Sequence, residues 1–152
     1  KSVVDEVIAR CDGNTDSVLE TLARDLVEDL GYGRPQTQFG LTADGRCVWC
    51  DLRLKRHIFE ADGFVKLIPV ELGGLARDSL EVLRLEKERQ DFVTGFKLGV
   101  SRIGFADCVG AGRAKALERL DREYRDTCAR FGESTDDLAQ YRPVTARRRQ
   151  AA

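Results

Sequence analysis

The chain has 152 residues, of which 42% are hydrophobic and 34% charged, a composition typical of one globular domain with a hydrophobic core and not of a disordered protein. The 25 Lys and Arg nearly balance the 26 Asp and Glu, for a net charge of −1, which excludes a polybasic, histone-like protein. No apolar run reaches the ~18 residues that a membrane span needs, so we expect no membrane partner. A nucleic-acid enzyme is not excluded, because acidic metal ligands can cancel the charge of a basic binding surface.

The chain begins at Lys1 and contains no Met, so we expect it to be a piece of a longer protein. Its five Cys are an odd number, which favours a reducing compartment over a disulfide framework. The first ten residues contain no apolar core of a signal peptide. We therefore expect a cytoplasmic protein.

Two helices are predicted before the first strand. A Gly-containing break at residues 12–14 separates a short helix at 2–10 from a longer one at about 17–30, whose apolar residues recur at helical spacing. Ser17 and Glu20 match a capping box at the start of the longer helix, and Gly31 is expected to end it.

Three strands follow at about 36–41, 46–54 and 57–62. Asp44-Gly45 is a hairpin signal between the first two, and Lys55-Arg56 is a tight connection between the second and third. Strict alternation along the second strand places four residues on one face and three on the other. The first set is Val48, Cys50, Leu52 and Leu54, and the second is Trp49, Asp51 and Arg53.

The remaining chain predicts helix, strand and helix. Residues 64–72 contain Pro69 and indicate a loop or edge segment; a helix is expected at about 79–94, a strand at 97–103 and a helix at about 113–130. Leu80, Leu83 and Leu85 are apolar positions of the first of these helices, and Gly110-Ala111-Gly112 is expected to break the chain before the second. The order predicts an α/β domain at residues 1–134 with one mixed sheet flanked by helices, followed by a polar, mobile tail at 135–152.

Acidic residues stand at the ends of two of the predicted strands. Glu60 and Asp62 lie two residues apart and point to the same face, and the tight turn lets Asp51 approach Glu60. Converging carboxylates suit Mg²⁺ or Mn²⁺, and a nearby Lys66 can hold or activate a water. Exposed strand acids are also a common device against edge-to-edge aggregation, so spacing alone leaves both interpretations open and favours the second.

The single histidine and the CxxC motif are weaker indications of function. His57 is the only histidine and is expected to be a packed residue or to lie near a phosphate rather than to act as a catalytic base. Cys47 and Cys50 form one CxxC without a second pair, and residues three apart on a strand face opposite sides, which argues against a shared zinc ion.

From about residue 17 to 131 the chain resembles the very-short-patch-repair-like (Vsr-like) endonuclease domain of the PD-(D/E)XK nuclease superfamily, in the version found in actinobacterial and mycobacteriophage proteins. Six pieces match in the family's order: the Ser17-Val18-Leu19-Glu20 helix with Arg24, Gly31 with Pro35 and Gln38, Val48-Trp49-Cys50-Asp51, Glu60-Ala61-Asp62-Gly63-Phe64-Val65-Lys66, Glu86-Lys87 with Arg89, Asp91 and Gly95, and Val100, Arg102 and Ala106-Asp107. The resemblance implies a restriction-endonuclease-like αβββαβα core.

The resemblance also implies roles for the acids. Asp51 and Glu60 would be metal ligands for Mg²⁺ or Mn²⁺, and Glu20 would be a helix acid that reaches the metal, although the capping box with Ser17 explains Glu20 equally well. Asp62 stands where the superfamily has its catalytic Lys, so it would be an extra ligand and Lys66 a replacement for that Lys. Cys50 stands where the superfamily name has Pro.

Basic residues of the later elements would contact DNA. The resemblance assigns Lys87, Arg89 and Arg102 to a phosphate or to bracing the acids; a surface ladder of alternating charges is the alternative for Lys87 and Arg89. Arg113 follows a glycine-rich stretch ahead of a helix, a place that can hold an anion.

These features predict a metal-dependent DNA endonuclease, or the nuclease domain of a larger phage or bacterial protein with a fused or associated DNA-binding domain. The alternative is a catalytically inactive nuclease fold that acts in DNA binding, transcriptional repression, or toxin–antitoxin or abortive-infection regulation, which the replacement of the catalytic Lys by Asp62 favours.

Overall fold

The computed structural model of the chain describes residues 15–62 and 79–144. Its elements follow the predicted order of helix, three strands, helix, strand and helix. They are α1 (Thr15–Glu28), β1 (Gln36–Ala43), β2 (Arg46–Leu54), β3 (His57–Ala61), α2 (Ser79–Thr94), β4 (Gly99–Ile103), α3 (Phe105–Cys108), α4 (Gly110–Phe131) and a 3₁₀ helix (Asp136–Tyr141). The helix predicted at 2–10 and the loop or edge segment at 64–72 lie outside the described residues.

The four strands form one mixed sheet in the order β1-β2-β3-β4. β1 and β2 pair antiparallel across a turn in which Asp44 and Gly45 both have positive φ, as the hairpin prediction requires. β2 and β3 also pair antiparallel, while β3 and β4 run parallel. Because parallel neighbours need a crossover, α2 connects β3 to β4. The α/β class with a mixed sheet flanked by helices is therefore confirmed.

Each face of the sheet covers its own hydrophobic cluster. Phe59 packs with α1, α3 and α4, whereas its neighbour Ile58 packs with α2 and the 3₁₀ helix. Successive strand residues point to opposite faces, so the two clusters lie on opposite sides of the sheet. Within residues 15–62 and 79–144, no helix has the length and apolar character of a membrane span.

The predicted alternation along β2 is wrong at one point. Val48 and Cys50 belong to the cluster of α2, but Leu52 and Leu54 belong to the cluster of α1 and α4. The physical reason is an interruption between Cys50 and Leu52: the β1–β2 register omits the pair opposite Asp51, where Gln38 adopts a φ of 52°. A bulky residue at positive φ disturbs regular pairing, so Asp51 lies where the sheet changes which side chains face which helix.

The interruption predicted at residues 110–112 is confined to Val109 and Gly110, between α3 and α4. Residues 110–112 form the first turn of α4, three residues before the predicted start. Gly112 has a packing role instead, because a Cβ atom there would overlap the carbonyl oxygen of Ala106 on α3. The glycine thus permits the close approach of two helices.

Two helices differ from expectation at their apolar or capping residues. Leu80, Leu83 and Leu85 of α2 are exposed, and the helix uses Val93 at its far end to reach the core. α1 begins at Thr15, so Ser17 lies inside its first turn and is not the N-cap that the capping box predicted.

Residues 136–144 are folded and do not form the solvated tail that polarity predicted. Leu138 of the 3₁₀ helix is buried, and the buried Arg56 donates to Asp137 Oδ1 at 2.6 Å and to the carbonyl of Ser134 at 2.8 Å. A guanidinium that is buried must satisfy its donors, and this one does so by holding the C-terminal segment. Residues 145–152 lie outside the described part of the chain.

The contact at Gly112 gives a stability test. Gly112→Ala forces α3 and α4 apart and should lower the free energy of unfolding by about 1–3 kcal/mol, measured by urea denaturation. Gly95→Ala is the matched control, because a methyl group there meets backbone oxygens at 3.4 Å, an ordinary contact distance. Equal stability of the two variants would contradict the packing role.

Candidate functional site

Asp51 and Glu60 come together where β2 and β3 stop pairing. The last residues paired towards this end of the two strands are Leu52 and Phe59, so Asp51 and Glu60 occupy the next positions. Asp51 Oδ2 accepts a hydrogen bond from the Ala61 amide at 3.0 Å, and its carboxylate lies close enough to Glu60 to raise the pKa of that carboxyl. The side chain of Asp51 thus replaces the main-chain ladder at this point.

The environment of Glu60 disfavours its charged form. The residue is 6% exposed, and burial together with the neighbouring charge of Asp51 raises the pKa of its carboxyl to about 7, although Arg89 acts in the opposite direction. Buried carboxylates held against one another are characteristic of sites that bind cations or transfer protons.

Arg89 and Arg102 form a chain of ion pairs across the site. Arg89 Nη2 bonds Glu60 Oε1 at 2.8 Å and the carbonyl of Trp49 at 2.6 Å. Arg102 bonds Asp62 at 3.3 Å and Glu86 at 2.6 Å, and Glu86 lies 3.6 Å from Arg89. Of the two roles that the resemblance implied for these arginines, the geometry therefore fits bracing the acids. Lys87, between Glu86 and Glu88 on α2, is exposed.

The remaining predicted residues are spread around this centre. Glu20 is exposed on α1 and lines a cleft of about 80 Å³ together with Asp51, Gln38 and Arg24. Arg113 forms an ion pair with Asp29 and donates to the carbonyl of Cys108, a bracing position between α4 and α1. Lys66 lies outside the described residues.

The donor set around Asp51 suits a hard divalent cation. In the described segments, no group of three or more His, Cys, Asp or Glu side chains is arranged as a metal site. Mg²⁺, however, keeps several waters and is commonly held by only one or two carboxylates. Asp51 and Glu60 supply such a pair, with one full positive charge, that of Arg89, in contact with it. Asp51 and Glu60 are therefore the two residues that would hold Mg²⁺ or Mn²⁺.

The two cysteines of the CxxC occupy different environments. Cys47 is exposed and Cys50 is buried. Burial and the neighbouring charge of Glu60 raise the pKa of the Cys50 thiol to about 12, which disfavours the thiolate form that nucleophilic attack requires. Its contact with Glu60 was missed by sequence reasoning, because β2 changes faces immediately after it.

His57 is a packed residue, as expected. Its ring nitrogens lie 2.7 Å from Thr127 Oγ1 and 2.7 Å from Ser101 Oγ, and Ser101 donates to Glu123. Burial lowers the pKa of His57 to about 4, so the ring is neutral near pH 7. Both nitrogens are engaged inside the fold.

Comparisons with protein-family models, with curated proteins and with solved structures find no match for this chain.

The raised pKa of Glu60 predicts a dependence of stability on pH. The folded value of about 7 exceeds the 4.5 of the free side chain, so the contribution of Glu60 is fully present below pH 4.5 and is lost as the pH rises through 7. At high pH, keeping the ionised Glu60 carboxylate buried costs on the order of 2–3 kcal/mol of folding stability, and Glu60→Gln removes this cost. The variant should therefore lose less stability than wild type between about pH 5 and about pH 8, measured by urea unfolding.

Glu118→Gln, at an exposed position of α4, is the control for this comparison and should follow wild type. If Glu60→Gln lost as much stability as wild type over the same pH range, the Glu60 carboxyl would not be held in its neutral form, and the account of its environment would fail.

Proposed function

We propose that this chain is a metal-dependent DNA endonuclease domain of the restriction-endonuclease-like fold, of the Vsr-like type that its motifs resemble. The observation that carries the proposal is the contact between Asp51 and Glu60, in which a buried carboxyl is held against a second carboxylate. The helix, three-strand, helix, strand and helix order around one mixed sheet supports it, since this is the order that the resemblance implies.

In this proposal Asp51 and Glu60 would hold Mg²⁺ or Mn²⁺, and Glu20, which lines a cleft together with Asp51, would be a further ligand. When bound, such an ion lowers the pKa of a water and stabilises the charge that develops on a phosphodiester. The Ala61 amide fixes the orientation of the Asp51 carboxylate, and Arg89 does the same for Glu60. Asp62 and Lys66 remain candidates for an extra ligand and for the group that positions water.

A second candidate is a nuclease-like fold that binds DNA without cutting it. The specific observation in its favour is that Asp62, at the position of the superfamily's catalytic Lys, is paired with Arg102, while Arg89 occupies one oxygen of Glu60. In this candidate the ion pairs replace the metal, and the domain would act in repression or in toxin–antitoxin or abortive-infection regulation.

A plasmid-nicking assay tests the first proposal. Wild type should nick supercoiled DNA in Mg²⁺ or Mn²⁺ and show a metal-dependent rise in melting temperature. Asp51→Asn should lose both, with a fall in rate of about 100-fold or more, because an oxygen ligand that carries charge is replaced by a neutral amide. Glu118→Gln should behave as wild type.

If wild type shows neither cleavage nor a metal-dependent thermal shift, the enzymatic proposal is lost, and retained DNA binding would then support the second candidate. If wild type and Asp51→Asn cut equally well, the class is right but the site is wrong.

A further inference from the structure

The cations expected to contact DNA are largely neutralised by acids. Arg89, Arg102 and Arg113 each form an ion pair with a carboxylate of the fold. Two arginines on the β1 side of the sheet are in the opposite situation. Within residues 15–62 and 79–144, neither Arg53 of β2 nor Arg142, just after the 3₁₀ helix, has a carboxylate within ion-pair distance.

Both of these arginines contact the same aromatic ring. The guanidinium carbon of Arg53 lies 4.6 Å from the ring centre of Phe39, and that of Arg142 lies 4.4 Å from it. Two like charges are thus held on one phenyl ring. Burial and the charge of Arg142 lower the pKa of Arg53.

The side chains of Arg53 and Arg142 are held in place but keep N–H groups that donate no hydrogen bond. Arg53 gives one hydrogen bond to Gln36 Oε1 at 2.6 Å and one to the carbonyl of Lys55 at 2.8 Å, of the five that a guanidinium can give. Arg142 gives no side-chain hydrogen bond to any residue of the described ranges. Among the described residues, the Nε atoms of both arginines are buried and have no hydrogen-bond partner, so the donors left for a ligand are those of the Nη atoms.

Arg142 is held in place by its neighbours in the chain. Pro143 packs directly on β1, since a Cβ atom at Gly40 would lie 2.8 Å from Pro143 Cγ, and Leu138 anchors the 3₁₀ helix before it. The pair is therefore preorganised, so that a ligand does not have to bring two flexible side chains together.

We propose that Arg53 and Arg142 form a binding site for a phosphate group. Two planar guanidinium groups present several donors to one anion, the arrangement that proteins use for phosphate recognition. The anion would supply both the negative charge and the hydrogen-bond acceptors that the fold itself does not place there. If the phosphate belongs to the DNA backbone, the β1 side of the sheet is the surface that the DNA contacts. This identification of the ligand rests on the proposed function.

Melting curves with inorganic phosphate test the site itself, in EDTA so that metal and cleavage play no part. At equal ionic strength, phosphate should raise the melting temperature of wild type above its value in chloride. The increment should disappear in Arg142→Gln and in Arg53→Gln. The matched control is Arg46→Gln, because Arg46 also stacks on a phenyl ring, that of Phe92 at 5.1 Å, but without a second cation on that ring; its increment should persist.

Arg142→Lys keeps the charge but not the planar fork, and should retain only part of the increment. If wild type shows no increment over chloride, or if Arg142→Gln keeps as much as Arg46→Gln, the site does not exist.

DNA binding in EDTA distinguishes the source of the phosphate. If the backbone is the ligand, Arg142→Gln should weaken DNA binding and reduce the slope of log K against log salt by about 1, whereas Arg46→Gln should not. Loss of the phosphate increment with an unchanged DNA slope would assign the site to a free phosphate ester. Neither arm depends on cleavage, so the site and the nuclease proposal can fail separately.

Discussion

The contact between the Asp51 and Glu60 carboxyl groups is the constraint on which the centre of this structure depends. Two acids that repel when ionised are kept side by side by the pairing of β2 with β3 and by the Ala61 amide. The fold tolerates the contact because Glu60 has a raised pKa and because Arg89 supplies a counter-charge. Such an arrangement costs stability, and proteins retain costs of this kind mainly at functional sites.

The charged side chains around this pair form a continuous chain of alternating positive and negative groups. Arg89 and Arg102 alternate with Glu60, Glu86 and Asp62, so Glu60 of β3 and Asp62, just after this strand, are held by different arginines. In the nuclease proposal these arginines orient the ligands. In the alternative proposal they neutralise the acids permanently. The difference between the two is whether a divalent cation displaces part of this network.

Local sequence signals predicted much of the scaffold. The bounds of β2 and α2 agree with the predicted ones. Turn residues flank the strand, and Gly95 follows the last residue of the helix. The approach of Asp51 to Glu60 followed from the short Lys55-Arg56 connection, since a tight turn fixes the register of the two strands.

The remainder depended on tertiary contacts that a single sequence does not encode locally. Nothing in the residues around Gln38 signals a positive φ, yet that conformation interrupts β1 opposite Asp51 and moves Leu52 to the other face. The glycines before α4 resemble a chain break, but Gly112 serves helix packing. The partners of the arginines were equally hidden, because Arg53 and Arg142 are 89 positions apart in the sequence and meet only on Phe39.

The most direct test of the central claim is the position of Mn²⁺ in crystals of this chain soaked with the ion, located by its anomalous scattering. The account predicts one ion bonded by carboxylate oxygens of both Asp51 and Glu60, and no ion at this place in Asp51→Asn. Crystals in which both carboxylates keep their contacts with each other and with Arg89, with no Mn²⁺ between them, would contradict the claim that this pair is a metal site.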